Sequence, residues 1–206
     1  HDLELMRTTD LYKKHSFKNP DAQWGYDFNH ESQATQDLVD SISSFWMNEY
    51  KVDGFRIDFT KGFSNTIYGI SSWGSDYDKD RIENLKRMAD EIWKRKSDAL
   101  LILEHLAVNT EEKELADYGF LLWGNMHGNY LEAARGNTGS SDLSWAMYDK
   151  RGWNSPNLVS YPESHDEERI MVDIKNTGLS NGAYNIKNEQ TALERIDLNA
   201  LFHILL

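Results

Sequence analysis

The sequence predicts an α/β fold in which helices alternate with parallel strands, and three observations support this. Three short apolar runs each end on an acid, at Val52–Asp58, Leu100–Glu104 and Leu158–Asp166. Segments with apolar residues at helical spacing separate these runs. Strands that alternate with helices pair in parallel through right-handed crossovers. Parallel strands would carry the three terminal acids to one edge of a sheet.

The first half of the chain supplies two helices and one strand. Residues 1–30 are predicted to be irregular, and apolar spacing predicts a helix over Ala34–Tyr50 and a strand over Lys51–Phe59. A Gly- and Ser-rich loop follows, and Asp80 and Glu83 form a predicted capping pair for the next helix. The apolar face of that helix consists of Ile82, Leu85, Met88, Ala89, Ile92 and Trp93.

The second half continues the alternation. The predicted strands are Ala99–His105, Gly119–Trp123 and Asn157–Tyr161, the predicted helices are Thr110–Ala116, Tyr130–Arg135, Ser140–Lys150 and Thr191–Leu206, and Asp173–Gln190 is a predicted polar loop. This amounts to about half of the eight units in a (β/α)8 barrel of about 250 residues. The predicted fold class is therefore α/β, a partial (β/α)8 TIM barrel, whose chemistry belongs at the carboxyl ends of its strands.

Composition excludes several classes of function. A chain of 206 residues with 39% hydrophobic and 27% charged residues forms an ordinary globular domain rather than a disordered segment. The net charge of -12 argues against binding to nucleic acid or to an anionic membrane surface, because both need a basic face. The absence of cysteine excludes disulfides and thiolate metal sites.

Three acids gathered in one cleft favour chemistry on sugars. A pair of carboxyl groups cuts a glycosidic bond, one as proton donor and one as nucleophile or base. Asp58, Glu104 and Asp166 are the candidates. Other interpretations remain for single residues: Asp58 taken alone is typical of a helix cap, and Asp166 lies in a run of charged residues typical of a solvated surface.

The run Asp53–Lys61 resembles the second signature region of the α-amylase superfamily, glycoside hydrolase family 13, in which an Arg stands two residues before an Asp. Leu101–Glu104 is similar to the third region, and His165-Asp166 to the fourth. Trp24–Asn29 is similar to the segment that re-enters the barrel from an inserted B domain. The resemblance implies strands four to seven of the barrel. It assigns residues 1–33 to the end of domain B and 34–206 to a partial catalytic barrel.

The chain departs from the family pattern at several points. Gly62 stands where the family has His after the Lys, and Ser164 stands where it has Asn before His-Asp. Both positions contact substrate in the family, so these departures bear on substrate choice. The first signature region and the last strand are missing. We therefore expect a piece running from the end of domain B through the seventh barrel helix.

The resemblance implies a role for each candidate residue. Asp58 is the nucleophile, Glu104 the acid and base, and Asp166 the group that holds ring hydroxyls. Arg56 keeps the nucleophile ionised and oriented, and its side chain alternates onto the same strand face as Asp58. The pKa of Glu104 is expected to be raised by burial and by the neighbouring negative charge.

Further side chains are predicted to bind substrate. His165 donates to a sugar hydroxyl, and Lys61 contacts the leaving-group side. Trp73 is the preferred sugar platform because it lies in a Ser/Gly-rich loop, and Trp24 and Trp123 are weaker candidates for that role. The remaining expectations are that Trp46, Trp93 and Trp145 lie in the core and that Glu163 is not a catalytic acid.

Cofactor, partner and location follow from the same resemblance. No cofactor is certain, and calcium is possible in a full-length parent, where the Gly62 carbonyl is a candidate ligand. The expected partner is an α-glucan oligosaccharide or polysaccharide. The piece alone is expected to be inactive and to self-associate through open barrel edges. His1–Leu5 is not a signal peptide, so location is unknown, although secretion or a periplasmic site suits a polymer-degrading parent.

Three functions remain open at this point. The first is retaining hydrolysis of α-glucosidic bonds in starch-like glucans, of the α-amylase type. The second is glucan transglycosylation or branching on the same fold, in which a sugar hydroxyl replaces water. The third is glycan binding without catalysis, whose expected mark is the loss of one of the three acids.

Overall fold

A computed structural model describes residues 11–13, 17–137, 139–180 and 185–204. The chain divides into two compact units, residues 1–122 and 123–206, and each is described by itself. The strands are β1 (Tyr12–Lys13), β2 (Asp27–Phe28), β3 (Gly54–Ile57), β4 (Leu100–Leu103), β5 (Leu121–Asn125) and β6 (Leu158–Tyr161). The helices are α1 (Gln33–Glu49), α2 (Lys79–Arg95), α3 (Asn109–Tyr118), α4 (His127–Arg135), α5 (Ile170–Thr177) and α6 (Glu189–Ile204).

The predicted fold class is confirmed. β3 to β6 form a four-stranded sheet in the order β3-β4-β5-β6, and the pairings of β3 with β4 and of β4 with β5 are parallel. Helices connect successive strands, as in a partial (β/α)8 barrel. A two-stranded antiparallel ladder, β1 with β2, lies within the stretch that was expected to be irregular. The boundary predicted at residue 33 stays a prediction.

In the first unit β3 and β4 approach each other unusually closely. They pair in register from Gly54 opposite Leu100 to Ile57 opposite Leu103. A methyl group on Gly54 would lie 2.0 Å from the carbonyl oxygen of Leu100. Glycine is therefore required where β3 begins, and it fixes the spacing of the strands that end on Asp58 and Glu104.

α2 supplies the apolar side chains predicted for it. Ile82, Leu85, Met88, Ala89 and Ile92 are all buried, as are Leu101 and Leu103 on β4. The cap of this helix differs from the expectation. The Asp78 carboxylate accepts from the backbone N–H groups of Asp80 and Arg81, so Asp78 is the N-cap rather than the pair Asp80 and Glu83.

In the second unit the end of β5 is joined to β6 by the backbone N–H of Met126, which donates to the carbonyl of Tyr161 at 2.9 Å. Helices α4, α5 and α6 pack on one another. Their shared core consists of Met126, Tyr130, Leu131, Ala134, Leu143, Ile170, Ile174, Ile186 and Ala192.

Two sequence predictions in the second unit are wrong. Residues 140–150 are not a helix but contain a short 3-10 turn at Ser144–Ala146, because the Asp142 carboxylate binds the N–H of Ser144 and starts a turn instead. The polar stretch 173–190 is not wholly a loop, since α5 covers its first residues. The pair Ile170 and Ile174 buries one face of α5, and the polar neighbours concealed that pattern.

Of the three tryptophans expected in the core, one packs among other aromatic rings and two are exposed. Trp93 packs against Tyr118 and Phe120 and donates to the carbonyl of Ala99, as expected of a core residue. Trp46 and Trp145 were expected in the core and are exposed, at 44% and 45%. The buried face of α1 is instead the narrow row Thr35, Ser43 and Met47. None of the described helices is long and apolar enough to cross a membrane.

Candidate active site

The carboxyl ends of β3 and β4 remain bonded beyond the last residues of the strands. The N–H of Glu104 donates to the carbonyl of Ile57 at 3.0 Å, and the N–H of Thr60 donates to the carbonyl of Glu104 at 3.0 Å. Asp58 follows β3 directly, and Glu104 follows β4. Parallel pairing therefore sets the two predicted acids side by side at one edge of the sheet.

Arg56 joins the two acids. One guanidinium nitrogen, Nη1, donates to Oδ1 of Asp58, and the other, Nη2, donates to Oε2 of Glu104 at 2.8 Å. The Asp58 side chain is 73% exposed and is not a helix cap, whereas the Glu104 side chain is 14% exposed. Arg56 thus contacts both Asp58 and Glu104, and the roles predicted for these three residues stay predictions.

Glu104 lies in a mixed electrostatic environment. Burial raises the pKa of Glu104, and a hydrogen-bonding contact with the Asp58 carboxyl together with its negative charge raises it further. The backbone N–H of Phe59 and the charge of Arg56 act in the opposite direction. The net pKa of Glu104 lies above its ordinary value, which is the predicted direction, so this carboxyl holds its proton to higher pH than a solvated glutamate.

Phe59 adopts a conformation that is rare for a bulky residue. Its backbone is left-handed, with φ 41° and ψ 52°. The turn aims its N–H at Oε2 of Glu104, 3.1 Å away. Its ring makes an edge-to-face contact with Trp24, with ring centroids 5.3 Å apart. Local strain of this kind is found where a site fixes a group in place.

An aromatic cleft opens beside the acids. Asp58, Phe59, Trp24 and Tyr26 are among the residues that line a space of about 400 Å³. Trp24 is 71% exposed, and its ring centroid lies 6.1 Å from that of Trp73. Trp73, the predicted sugar platform, is thus joined through Trp24 to the cleft that contains Asp58. Trp123 belongs to the second unit, where it packs on Tyr161.

Lys61 lies inside the first unit rather than on an open surface. It is buried, and its amine donates to Oγ of Ser75 at 3.3 Å. Burial lowers the pKa of Lys61, and the charge of Arg81 lowers it further. A direct contact with substrate would require the amine to leave Ser75, so that role stays a prediction.

A buried polar network lies directly behind Glu104, and the sequence analysis did not identify it. Oγ1 of Thr60 donates to the carbonyl of Glu104 at 3.0 Å and lies 2.8 Å from Nδ1 of His105. Nε2 of His105 lies 2.8 Å from Oε1 of Glu111, and Glu111 takes two hydrogen bonds from Arg81. All four residues are fully buried. The one sequence signal was a histidine directly after the acid.

Two of the predicted site residues lie in the second unit. His165 and Asp166 are neighbours there, with Nε2 of the histidine 3.4 Å from Oδ1 of the aspartate, and both side chains are more than half exposed. The N–H of Asp166 donates to Oγ of Ser164. The structure brings Arg56, Asp58 and Glu104 together in the first unit. The convergence of Asp166 with them stays a prediction.

Glu163 has a structural contact of its own. Its carboxylate accepts from the N–H of Ile170, the first residue of α5, at 2.8 Å and from Arg169 at 2.6 Å. Burial alone would raise the pKa of Glu163, but these two donors hold it below its ordinary value. A carboxylate that is kept ionised at a helix N-terminus acts as a cap.

Comparison with known proteins finds structural similarity but no match to a family model or a curated sequence. Among solved structures, Eubacterium rectale Amy13B is similar, with 15% sequence identity and a TM-score of 0.54. The chain shares the fold of this protein. The match covers 84% of the present chain and 38% of Amy13B, so the chain spans less than half the length of its structural neighbour.

The arrangement suits acid-base and nucleophilic chemistry carried by carboxyl groups. Asp58 offers an exposed carboxylate, and Glu104 offers a carboxyl whose pKa is raised by burial. Within the described ranges no cluster of three or more acidic or histidine side chains is placed to hold a metal ion. A calcium site that involves the Gly62 carbonyl stays an expectation.

Proposed function

We propose that this chain carries catalytic residues of a retaining glycoside hydrolase that cuts α-glucosidic bonds in starch-like glucans, of the α-amylase type. The observation that carries the proposal is the sharing of the Arg56 guanidinium by Asp58 and Glu104 at adjacent strand ends. Two carboxyl groups that contact one guanidinium and each other fit the separation of about 5–5.5 Å in retaining enzymes better than the about 6.5–9.5 Å that inverting enzymes leave for a water molecule.

In the first step Asp58 attacks the anomeric carbon while the bond from that carbon to the leaving oxygen breaks. The proton of Glu104 passes to the leaving oxygen, so a neutral hydroxyl departs and a glycosyl ester of Asp58 forms. The raised pKa of Glu104 supports this role, because it keeps the carboxyl protonated to higher pH than a solvated glutamate.

In the second step Glu104, now ionised, takes a proton from water as the water oxygen attacks the anomeric carbon. The bond to Asp58 breaks and its carboxylate returns to Arg56. Two inversions at one carbon give net retention. Asp166 and His165 are proposed to hold ring hydroxyls as the sugar flattens, a role taken from the family resemblance.

The cleft supports a sugar substrate. Pyranose rings present apolar C–H faces that stack on flat aromatic rings, and Trp24 and Trp73 offer such faces beside Asp58. The fold shared with Amy13B agrees with a family 13 catalytic domain at the level of architecture. The proposed chemistry rests on Asp58 and Glu104 at the strand ends rather than on the shared fold.

The test is hydrolysis of maltooligosaccharides by Asp58→Asn and Glu104→Gln variants, in the chain as it stands and in any longer polypeptide that contains it. In an active preparation each variant is expected to lose about a thousandfold or more in kcat, because each acid acts in the transition state. Asp53→Asn is the matched control, since Asp53 lies before β3 at the opposite end of the strand and is 87% exposed.

The outcomes separate the three candidate functions. Release of reducing ends with retained anomeric configuration supports hydrolysis, and new branch points on amylose with little release support transfer. An active Asp58→Asn variant would eliminate the enzyme proposal, and glucan binding that no preparation turns over would favour a binding protein.

A further inference from the structure

The backbone of the proposed acid is fixed more firmly than strand pairing requires. The Glu104 carbonyl accepts from both the N–H and the hydroxyl of Thr60, each at 3.0 Å. Its N–H donates to Ile57. Every backbone polar group of Glu104 is therefore bonded to the segment that carries Asp58, and the hydroxyl of Thr60 adds a bond that the β-ladder does not supply.

The orientation of the Thr60 hydroxyl is set by its contact with His105, which Glu111 holds in turn. Glu111 is ionised at neutral pH, because hydrogen bonds from His105 and Arg81 outweigh the effect of burial and hold its pKa below the ordinary value. An ionised Glu111 requires the N–H of a neutral His105 to lie on Nε2, which leaves Nδ1 as an acceptor. Burial lowers the pKa of His105, which agrees with a neutral ring. The single hydrogen of the Thr60 hydroxyl is then shared between two acceptors, Nδ1 of His105 at 2.8 Å and the Glu104 carbonyl at 3.0 Å, so the hydroxyl ties the Glu104 main chain to the His105 ring.

Four elements contribute to this network. Thr60 follows β3, His105 follows β4, Glu111 lies on α3 and Arg81 on α2. Arg81 also donates to the carbonyls of Lys61, Gly74 and Asp76, so its guanidinium is saturated with partners. A buried ion pair of this kind adds little net stability compared with apolar packing. Its value to the protein lies in fixing a geometry.

We propose that Thr60 and His105 are positioning residues for Glu104, with Glu111 and Arg81 holding His105 in one tautomer and one orientation. This inference rests on the proposed role of Glu104 as the acid, and it adds the residues that keep its carboxyl against Arg56 and Phe59. Neither Thr60 nor His105 touches substrate. Their effect on the reaction passes through the main chain of Glu104.

The test replaces the Thr60 hydroxyl with a methyl group and measures the pKa of Glu104 by carbon-13 NMR of its carboxyl. In Thr60→Val the Glu104 main chain loosens, and the carboxyl is expected to relax into solvent. Its pKa then falls toward that of an exposed glutamate. Thr60→Ser keeps the hydroxyl and is expected to keep the raised value.

Thr35→Val is the matched control. Thr35 is also fully buried, and its hydroxyl donates to a carbonyl, that of Leu11, at 2.9 Å. This variant loses the same kind of bond elsewhere in the first unit. It is expected to leave the pKa of Glu104 unchanged. An equal change in Thr35→Val and Thr60→Val would mean a general loss of stability and would overturn the proposal.

A second measurement needs no variant. Nitrogen-15 NMR of the His105 ring is expected to show the Nε2–H tautomer, slow exchange with solvent and no titration near the pKa of a free histidine. A ring that titrates like a solvated histidine overturns the proposal even if Thr60→Val fails to fold. Both measurements are made without turnover, so they stand apart from the outcome of the hydrolysis assay.

In an active preparation a kinetic readout follows. Thr60→Val is expected to lower kcat with little change in KM and to move the alkaline limb of the pH profile to lower pH, because that limb reports the proton on Glu104. Thr60→Ser restores both. A rise in KM alone would assign Thr60 to substrate binding and contradict a positioning role.

Discussion

Glu104 illustrates how opposing influences on one side chain decide its protonation. Arg56 and the Phe59 N–H favour the carboxylate, while burial and the neighbouring Asp58 favour the acid. Burial is the largest influence, and it prevails because only 14% of the side chain reaches solvent. Asp58 contacts the same guanidinium but is exposed, so two carboxyl groups of similar intrinsic strength are placed in different environments.

This difference has a consequence for stability against pH. The pKa of Glu104 is higher in the folded chain than in the unfolded chain. At pH values between these two pKa values, the folded state therefore holds more protons than the unfolded state. The free energy of unfolding is therefore expected to fall in that range, until the pH exceeds the folded pKa. Glu104→Gln removes this dependence. The check is urea unfolding of both proteins at several pH values, and parallel pH profiles would contradict the assigned shift.

The catalytic candidates at the strand ends, Asp58 and Glu104, could be predicted from the sequence. The buried polar residues that lie behind Glu104 could not. Apolar runs that end on Asp58 and Glu104, with Arg56 two residues before Asp58, are visible in one dimension. Arg81 and Glu111 are in contact although 30 positions separate them in the sequence, and no local sequence pattern predicts that contact. The left-handed backbone of Phe59 was equally hidden, because a bulky residue gives no sign of such a conformation.

Among the elements, the pair β3 and β4 sets the spacing of the acids. Gly54→Ala places a methyl group against the Leu100 carbonyl and must push the strands apart. We expect a loss of about 2 kcal/mol or more in the free energy of unfolding. The measurement is chemical unfolding followed by circular dichroism.

Gly69→Ala is the control for this substitution, because a methyl group on Gly69 meets no atom within 4 Å. Its free energy of unfolding is expected to stay close to that of the parent. Similar losses in the two variants would show that close approach at Gly54 is not what makes glycine necessary there.

The element α5 depends on an acid outside the helix. Glu163→Ala removes the carboxylate that accepts from the N–H of Ile170, and we expect a loss of about 1 kcal/mol, as for other helix caps. Glu168→Ala, at an exposed neighbouring position, is the control. Hydrogen exchange at the α5 amides measures the effect, and unchanged protection in Glu163→Ala would remove the capping role.

Predictions of elements succeeded where an apolar stripe was long. α2 shows its buried face over about three turns, and β3 and β4 show continuous apolar runs. α5 was missed because eight residues with two buried isoleucines give too short a pattern. The stretch 140–150 was misassigned because Leu143, Trp145 and Ala146 imitate a helical spacing, while Asp142 closes a local turn.

At the scale of the whole molecule, the edge of the sheet at β3 is the surface through which association is expected. Within the described residues β3 pairs only with β4, and an apolar groove of about 490 Å³ runs beside it. Ile42, Trp46 and Phe55 line the groove. Edge strands that border exposed apolar surface tend to pair with other chains. We expect the isolated chain to self-associate through this edge.

Sedimentation velocity over a range of concentrations checks this expectation. The parent chain should sediment faster as its concentration rises. A double variant, Ile42→Lys with Trp46→Lys, should remain monomeric because each lysine charges the groove. Trp145→Lys alters a similarly exposed tryptophan in the second unit and should behave like the parent. A monomeric parent at all concentrations would contradict the expectation.

Arg81 restrains the backbone of the segment that carries Trp73. Its guanidinium holds the carbonyls of Gly74 and Asp76, which follow Trp73 in the chain. The Asp78 carboxylate accepts from the hydroxyls of Tyr68 and Ser64, which precede Trp73. The indole is thus presented on an already rigid scaffold. We expect a glucan bound at this ring to order little additional chain, so that selectivity there would depend on a fixed shape rather than on adaptation of the protein.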